Sequence, residues 1–344
     1  MKYFFCPSYE AIYFVLDYRF SGMEFIVITY NWSIKCFCDF LGLENIYFDY
    51  SYLTGRNTFH HFIQLYRLRK KLDEIVENRR LGAKDKFYLL GHIISWPGFY
   101  LARKISKKCQ VLLKVVSGAI ETNPLKEGRN PLLKDYWRAS YLKWAVQLIF
   151  GVPLTIYDTG AKHVIGINDV FLKRYGIKRL KSEESIHDFR ANVIKNAKPL
   201  VNKAYDTMLL YEASYLKSSM SKNTIQNLYK NITISHSNFV AKGHPDFKSE
   251  NFEYLPSEVP KFSPYFPAEL LFPNIRKYII GIISASLVSV KYIPHLTAIS
   301  VLELAKWKTP REKQYYKDFL IRQNDRILFP RSWDEFHNII KGTK

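Results

Sequence analysis

Short apolar runs alternate with longer segments of helical period along most of the chain. Residues 24–30 (Glu-Phe-Ile-Val-Ile-Thr-Tyr) are apolar without alternation, the pattern of a strand buried on both faces, and 32–41 carry helical spacing. Residues 86–90 repeat the strand pattern, a helix is expected over 96–105, and 110–116 form a third strand. A long amphipathic helix is expected over 134–150, closed by Pro153, before Leu-Thr-Ile-Tyr at 154–157 leads into Asp158-Thr159-Gly160. Residues 175–202 are polar, charged and weakly periodic, which places a domain junction near residue 200.

The second half repeats the alternation. Strands are expected at 207–211, 239–242, 252–255, 277–283, 298–302 and 326–329. Helices are expected at 219–229, 268–272, from about 287, and over 310–323, the last opening on Pro310. Ser332, with Glu335 three residues on, reads as the cap of a terminal helix. Strands separated by helices in this way predict βαβ units and mainly parallel sheets. The expectation is an α/β chain of two Rossmann-like domains facing across a cleft, one over 1–200 and the other over 201–344.

Composition narrows the partners. Lys and Arg total 51 against 31 Asp and Glu, a net charge of +20 over 344 residues, which favours an anionic partner such as nucleic acid, anionic lipid or acidic polysaccharide. No helix-turn-helix, zinc-finger or RNP-type motif accompanies the charge, so nucleic acid is the alternative rather than the expected partner. Apolar residues make up 47%, enough for large cores. The four cysteines (Cys6, Cys36, Cys38, Cys109) form neither a CxxC pair nor a zinc spacing, so no metal is expected and a reducing compartment fits. Glu10 and Asp17 interrupt the apolar N-terminus, and the longest apolar run, 278–290, is too short for a bilayer. A cytoplasmic protein is expected, or one peripheral to the cytoplasmic face of an inner membrane.

The chemistry-bearing residues fall at strand ends, where open α/β sheets bind ligands. Gly243-His244-Pro245 ends one strand; a His there can hold a phosphate or deliver a proton, and Pro245 stiffens the turn. Ser284-Ala285-Ser286 lies at a strand-to-helix turn, where amides and hydroxyls suit an anion. Glu269 follows Pro267 at a helix start, placed to accept hydrogen bonds from ribose hydroxyls. Asp158, from the first half, suits a general base on an acceptor hydroxyl, with Glu121 and Glu212 the next carboxylates. Each also has an ordinary structural reading, as turn, cap or helix-start residue.

The order Asp-x-Gly, His-Pro, Pro-x-Glu, Ser-x-Ser resembles the bacterial sialyltransferases of GT-B type, the polysialyltransferase and lipooligosaccharide sialyltransferase families, over about 153–304. The resemblance implies an inverting, metal-independent transfer of sialic acid from CMP-sialic acid to a bacterial surface glycan, with no cofactor. It implies Asp158 as base, although Thr159 stands where those families carry a second acid, and His244 as donor-phosphate contact and acid. It assigns Ser284 and Ser286 to the same phosphate and Glu269 to the cytidine ribose, with Gly243 and Pro245 framing the donor site. The partners implied are a CMP-sugar donor and an anionic or galactose-ended glycan acceptor. A different nucleotide sugar, such as CMP-Kdo or a UDP-sugar, is the alternative donor.

Overall fold

The computed structural model describes residues 1–20, 22–49, 58–78, 81–90, 96–115, 149, 163–166, 189–234, 238–245 and 252–342. The chain divides into two compact units, Met1–Phe189 and Arg190–Lys344. The helix expected over 134–150, apart from Ile149, and the segment 154–160 with Asp158 lie outside the described residues, as does Glu121.

In the first unit the described strands are β1 (Lys2–Phe5), β2 (Phe25–Thr29), β3 (Asn45–Tyr47), β4 (Lys86–Leu90), β5 (Gln110–Val115) and β6 (His163–Gly166). They form one parallel sheet in the order β3-β2-β1-β4-β5-β6. The helices are α1 (Tyr9–Phe20), α2 (Trp32–Phe40), α3 (Thr58–Glu77) and α4 (Trp96–Ile105). Side chains alternate across the pleat, so neighbours in β1 enter different cores. Phe4 stacks on Tyr88 at 4.8 Å and meets Phe14 and Tyr18 of α1. Phe5 joins the other core, with Phe48, Leu65, Leu68 and Leu72. Gly98 brings α4 hard against the sheet there, since a Cβ would lie 2.6 Å from both Leu89 and Phe5 side chains.

In the second unit the strands are β7 (Tyr205–Tyr211), β8 (Phe239–Gly243), β9 (Lys261–Phe262), β10 (Ile275–Gly281) and β11 (Thr297–Ser300). The sheet is again parallel, in the order β11-β10-β7-β8-β9. The helices are α5 (Phe189–Asn196), α6 (Ala213–Leu216), α7 (Lys222–Ile234), α8 (Ser286–Ser289), α9 (Pro310–Gln323) and α10 (Trp333–Lys341), with a 3-10 helix over Ala268–Asn274. Counted in chain order, the first five strands of each sheet follow 3-2-1-4-5, the Rossmann order. The chain reverses direction across the sheet between β1 and β4 in the first unit, and between β7 and β10 in the second. The crevice outside the strand C-termini at such a point is the usual ligand site of an open α/β sheet.

Three local expectations are corrected. Residues 252–255 form a turn rather than a strand, closed by Leu255 N–H donating to Phe252 O at 2.9 Å. Phe252 takes φ 47°, a left-handed conformation costly for an aromatic residue, while its ring packs 5.0 Å from Tyr211. Over 326–329 only Leu328 makes a bridge, to Ile299, because the segment comes straight from a turn and runs into Pro330, which has no N–H for a ladder. The helix expected from about 287 is the four-residue α8, which passes into a 3-10 turn, Val290–Tyr292. The cap at Ser332 forms as the sequence indicates: its Oγ accepts from Glu335 N–H at 3.1 Å.

Candidate functional site

The second unit collects its sequence-selected residues at the C-terminal edge of its sheet. β8 ends at Gly243, paired with Tyr211 of β7, so His244 and Pro245 leave that edge directly, both half-buried. β10 ends at Gly281, and Ser284, Ala285 and Ser286 follow it. The 3-10 helix after Pro267 starts beside them and brings in Glu269. Ser286 Oγ donates to Glu269 Oε1 at 3.1 Å, and Ser289 Oγ donates to the same oxygen at 3.4 Å. Glu269 and the serine turn therefore meet. β7 separates β8 from β10, so the ends of these two strands, which lead into His244 and Ser284, are about 10 Å apart along the edge by strand spacing.

The hydrogen bonds sort the donors at the turn. Ser284 Oγ accepts from Ser286 N–H at 3.2 Å, and Ser284 O accepts from Leu287 N–H at 3.1 Å. The N–H groups of Ser284 and Ala285 donate to nothing among the described residues. Among the described residues Ser284 thus keeps its hydroxyl proton uncommitted, together with two backbone amides. Ser286 commits its single proton to Glu269 and is left as an acceptor. Because α8 is only four residues long, hydroxyls and amides, not a helix dipole, are what this turn offers an anion.

Two buried charged residues, which composition alone does not single out, frame the edge. Glu212 follows β7 and is 6% exposed. Its Oε2 accepts from Ile282 N–H at 2.5 Å and its Oε1 from Ile283 N–H at 3.0 Å, while its own N–H donates to Tyr229 Oη at 2.7 Å. Both oxygens of this reserve candidate for the base are held by backbone, which makes it a scaffold group. Burial, followed by the negative charges of Glu312 and Glu212, raises the Tyr316 phenol above its ordinary range. Lys242, directly before the Gly-His-Pro turn, is 2% exposed; its Nζ donates to Pro264 O at 3.2 Å and to Gly243 O. The signal in sequence is a lysine directly after the apolar run Phe239-Val240-Ala241, within the strand rather than beyond it.

Aromatic rings pack behind β7. Tyr211 lies 4.6 Å from Tyr229 and accepts a hydrogen bond from Tyr254 N–H at 3.4 Å. A hydrogen bond with Glu253 is the main cause that pushes the Tyr254 phenol up to about 12. Among the described residues no three His, Cys, Asp or Glu side chains gather where a metal ion could sit, and no helix is long and apolar enough to cross a membrane.

No family model and no curated protein matches the chain. Among solved structures it is similar to the glycotransferase of kitacinnamycin, with 8% identity, 99% of this chain and 89% of that one covered, and a TM-score of 0.47. It is also similar to Arabidopsis thaliana UGT89C1 complexed with UDP, with 7% identity, 99% and 90% covered, and a TM-score of 0.46. Acinetobacter baumannii MurG follows, with 9% identity, 99% and 89% covered, and a TM-score of 0.39. At these scores the likenesses do not bear on what this chain binds or does.

Proposed function

We propose that the protein is a glycosyltransferase of GT-B type that transfers sialic acid from CMP-sialic acid to a bacterial surface glycan, with inversion and without a metal. One observation carries the reading. At the switch point of a Rossmann-order sheet, a buried carboxylate, Glu269, meets the serine turn of Ser284 and Ser286, with His244 on the same edge. That set suits a nucleoside monophosphate: a carboxylate for ribose hydroxyls, and hydroxyl and amide donors with a His for phosphate.

In the proposed reaction, Asp158 takes the proton of the acceptor hydroxyl. The freed oxygen attacks the anomeric carbon on the face opposite CMP. The carbon–oxygen bond to the phosphate breaks, and its electron pair stays on CMP. His244, Ser284 Oγ and the amides of Ser284 and Ala285 stabilise the charge that grows there. Preorganised donors of this kind are worth roughly 3–4 kcal/mol each to a transition state. Gly243 and Pro245 fix the turn that carries His244. Asp158 belongs to the proposal on its sequence motif alone. The +20 charge suits an anionic acceptor or an anionic membrane surface.

The test is incubation with CMP-sialic acid and a panel of sialylated and galactose-ended acceptors, with thermal unfolding in CMP and in UDP beside it. Product formation and stabilisation by CMP are expected. Stabilisation by UDP alone would move the donor to a uridine sugar, and steep salt-dependent binding to oligonucleotides without CMP binding would replace the enzyme reading.

A further inference from the structure

The peptide segment that delivers the serine turn is held from both sides by side chains of neighbouring strands. Ile282 is the residue where β10 gives way to that turn. Its N–H donates to Glu212 Oε2 at 2.5 Å, and its carbonyl accepts from Ser300 Oγ, at the end of β11, at 2.6 Å. The next amide, Ile283 N–H, donates to Glu212 Oε1 at 3.0 Å. Glu212 is itself held through its backbone by Tyr229 of α7. All three groups are buried: Glu212 is 6% exposed, Ser300 0% and Tyr229 0%.

The chemistry of the clamp is selective. Two N–H donors converge on one side chain, and a carboxylate supplies an acceptor to each. A Gln has one carbonyl oxygen and an NH2 group that would face the second amide, donor to donor. The clamp also limits its neighbour: a Cβ on Gly281 would lie 3.1 Å from Glu212 Oε2, 3.2 Å from Leu210 Cδ1 and 3.3 Å from Leu287 Cδ1. Glu212 thus takes up the last two amides of the strand end, so the donors left for an anion are displaced to Ser284 and Ala285.

We infer that Glu212 is a positioning residue for nucleotide phosphate: by clamping the amides of Ile282 and Ile283 it sets the Ser284–Ala285 donors at the β10 terminus. The inference rests on the proposed phosphate role of this turn. It assigns Glu212 no contact with the ligand, and so replaces its reserve candidacy as a base with a different task.

The experiment compares affinities for CMP and cytidine in the full-length chain, wild type against Glu212→Gln, with thermal unfolding of each. The ratio of the two affinities reads the phosphate alone. Glu212→Gln should lower the CMP preference about tenfold, the weight of one charge-assisted hydrogen bond, and leave cytidine affinity unchanged. Equal weakening of both ligands would show a general structural role and overturn the inference, as would an unchanged ratio. If the wild type shows no preference for CMP, the phosphate site itself is wrong and the inference falls with it. Should Glu212→Gln fail to fold, Gly281→Ala decides: it presses on the same carboxylate while keeping it, and should lower the ratio in the same direction. An unaltered ratio there would overturn the proposal.

Discussion

The two sheets share a strand order and differ in what they bury. Around β1 and β4 of the first unit the interior is aromatic and aliphatic: Phe4, Phe5, Phe87, Tyr88 and Leu89 are all nearly inaccessible, and Thr29 and Ser33 are the buried polar residues among those described. Thr29 serves the fold, donating to Cys6 O at 2.6 Å and so tying the ends of β1 and β2. The second unit buries Glu212, Lys242, Glu269, Ser289 and Ser300, and besides them Thr207, Ser219, Asn274 and Asn324. Buried charge costs several kcal/mol unless it is paired or hydrogen-bonded. The two carboxylates and the lysine all have such partners: Glu212 holds the amides of Ile282 and Ile283, Glu269 accepts from Ser286 and Ser289, and Lys242 donates to the carbonyls of Gly243 and Pro264. One topology therefore supports two uses of a strand edge, and the second unit accepts a desolvation cost for a polar arrangement that packing alone does not require.

Substitutions can break or sharpen that contrast. The largest effect is expected in the apolar unit. Phe4→Ala removes a ring stacked at 4.8 Å on Tyr88 and should destabilise by about 3–5 kcal/mol in chemical denaturation, while leaving CMP affinity where it was. In the second unit, Gly281→Ala meets three side-chain atoms at 3.1–3.3 Å and should cost about 1–3 kcal/mol, with CMP affinity falling as well. A stability loss without a binding loss would separate packing from function at that edge.

Two smaller effects serve as controls away from the strand ends. Ser332→Ala deletes the cap of α10 and should cost about 1 kcal/mol with CMP binding unchanged. Burial tends to raise the Glu303 carboxyl, but the hydrogen bonds and charges of Lys313 and Lys317 outweigh it and hold it below its ordinary range. A lowered carboxylate stabilises the fold above its unfolded pKa, and that contribution is lost as pH falls through the folded value. Lys317→Met should therefore cost under about 1 kcal/mol at neutral pH, because the pair is partly solvent-screened, and the gap to wild type should close in acid.

The sequence carried more of the architecture than of the site. β4, α4 and α9 stand at their expected limits, because Lys86, Trp96 and Pro310 mark sharp changes of pattern. The strand at β1 was not legible, since four residues after the first Met give no alternation and no flanking turn. The expected strand at 252–255 failed because an apolar tetrapeptide reads the same whether it pairs in a ladder or packs its rings on Tyr211. At the site, Glu269 and the serines could be selected because Pro267 and the strand end made their positions unusual. The clamp of Glu212 on Ile282 and Ile283 could not, because it joins residues 70 and 71 positions apart through backbone amides that no side-chain pattern records.

The most direct test of the account is calorimetric titration of CMP into the full-length protein, into His244→Ala and into Ser284→Ala, with UDP as the control nucleotide. The account predicts that CMP binds the wild type, that each substitution sharply weakens it without lowering the melting temperature, and that UDP does not compete. Binding of UDP alone, or CMP binding that survives both substitutions, would contradict it.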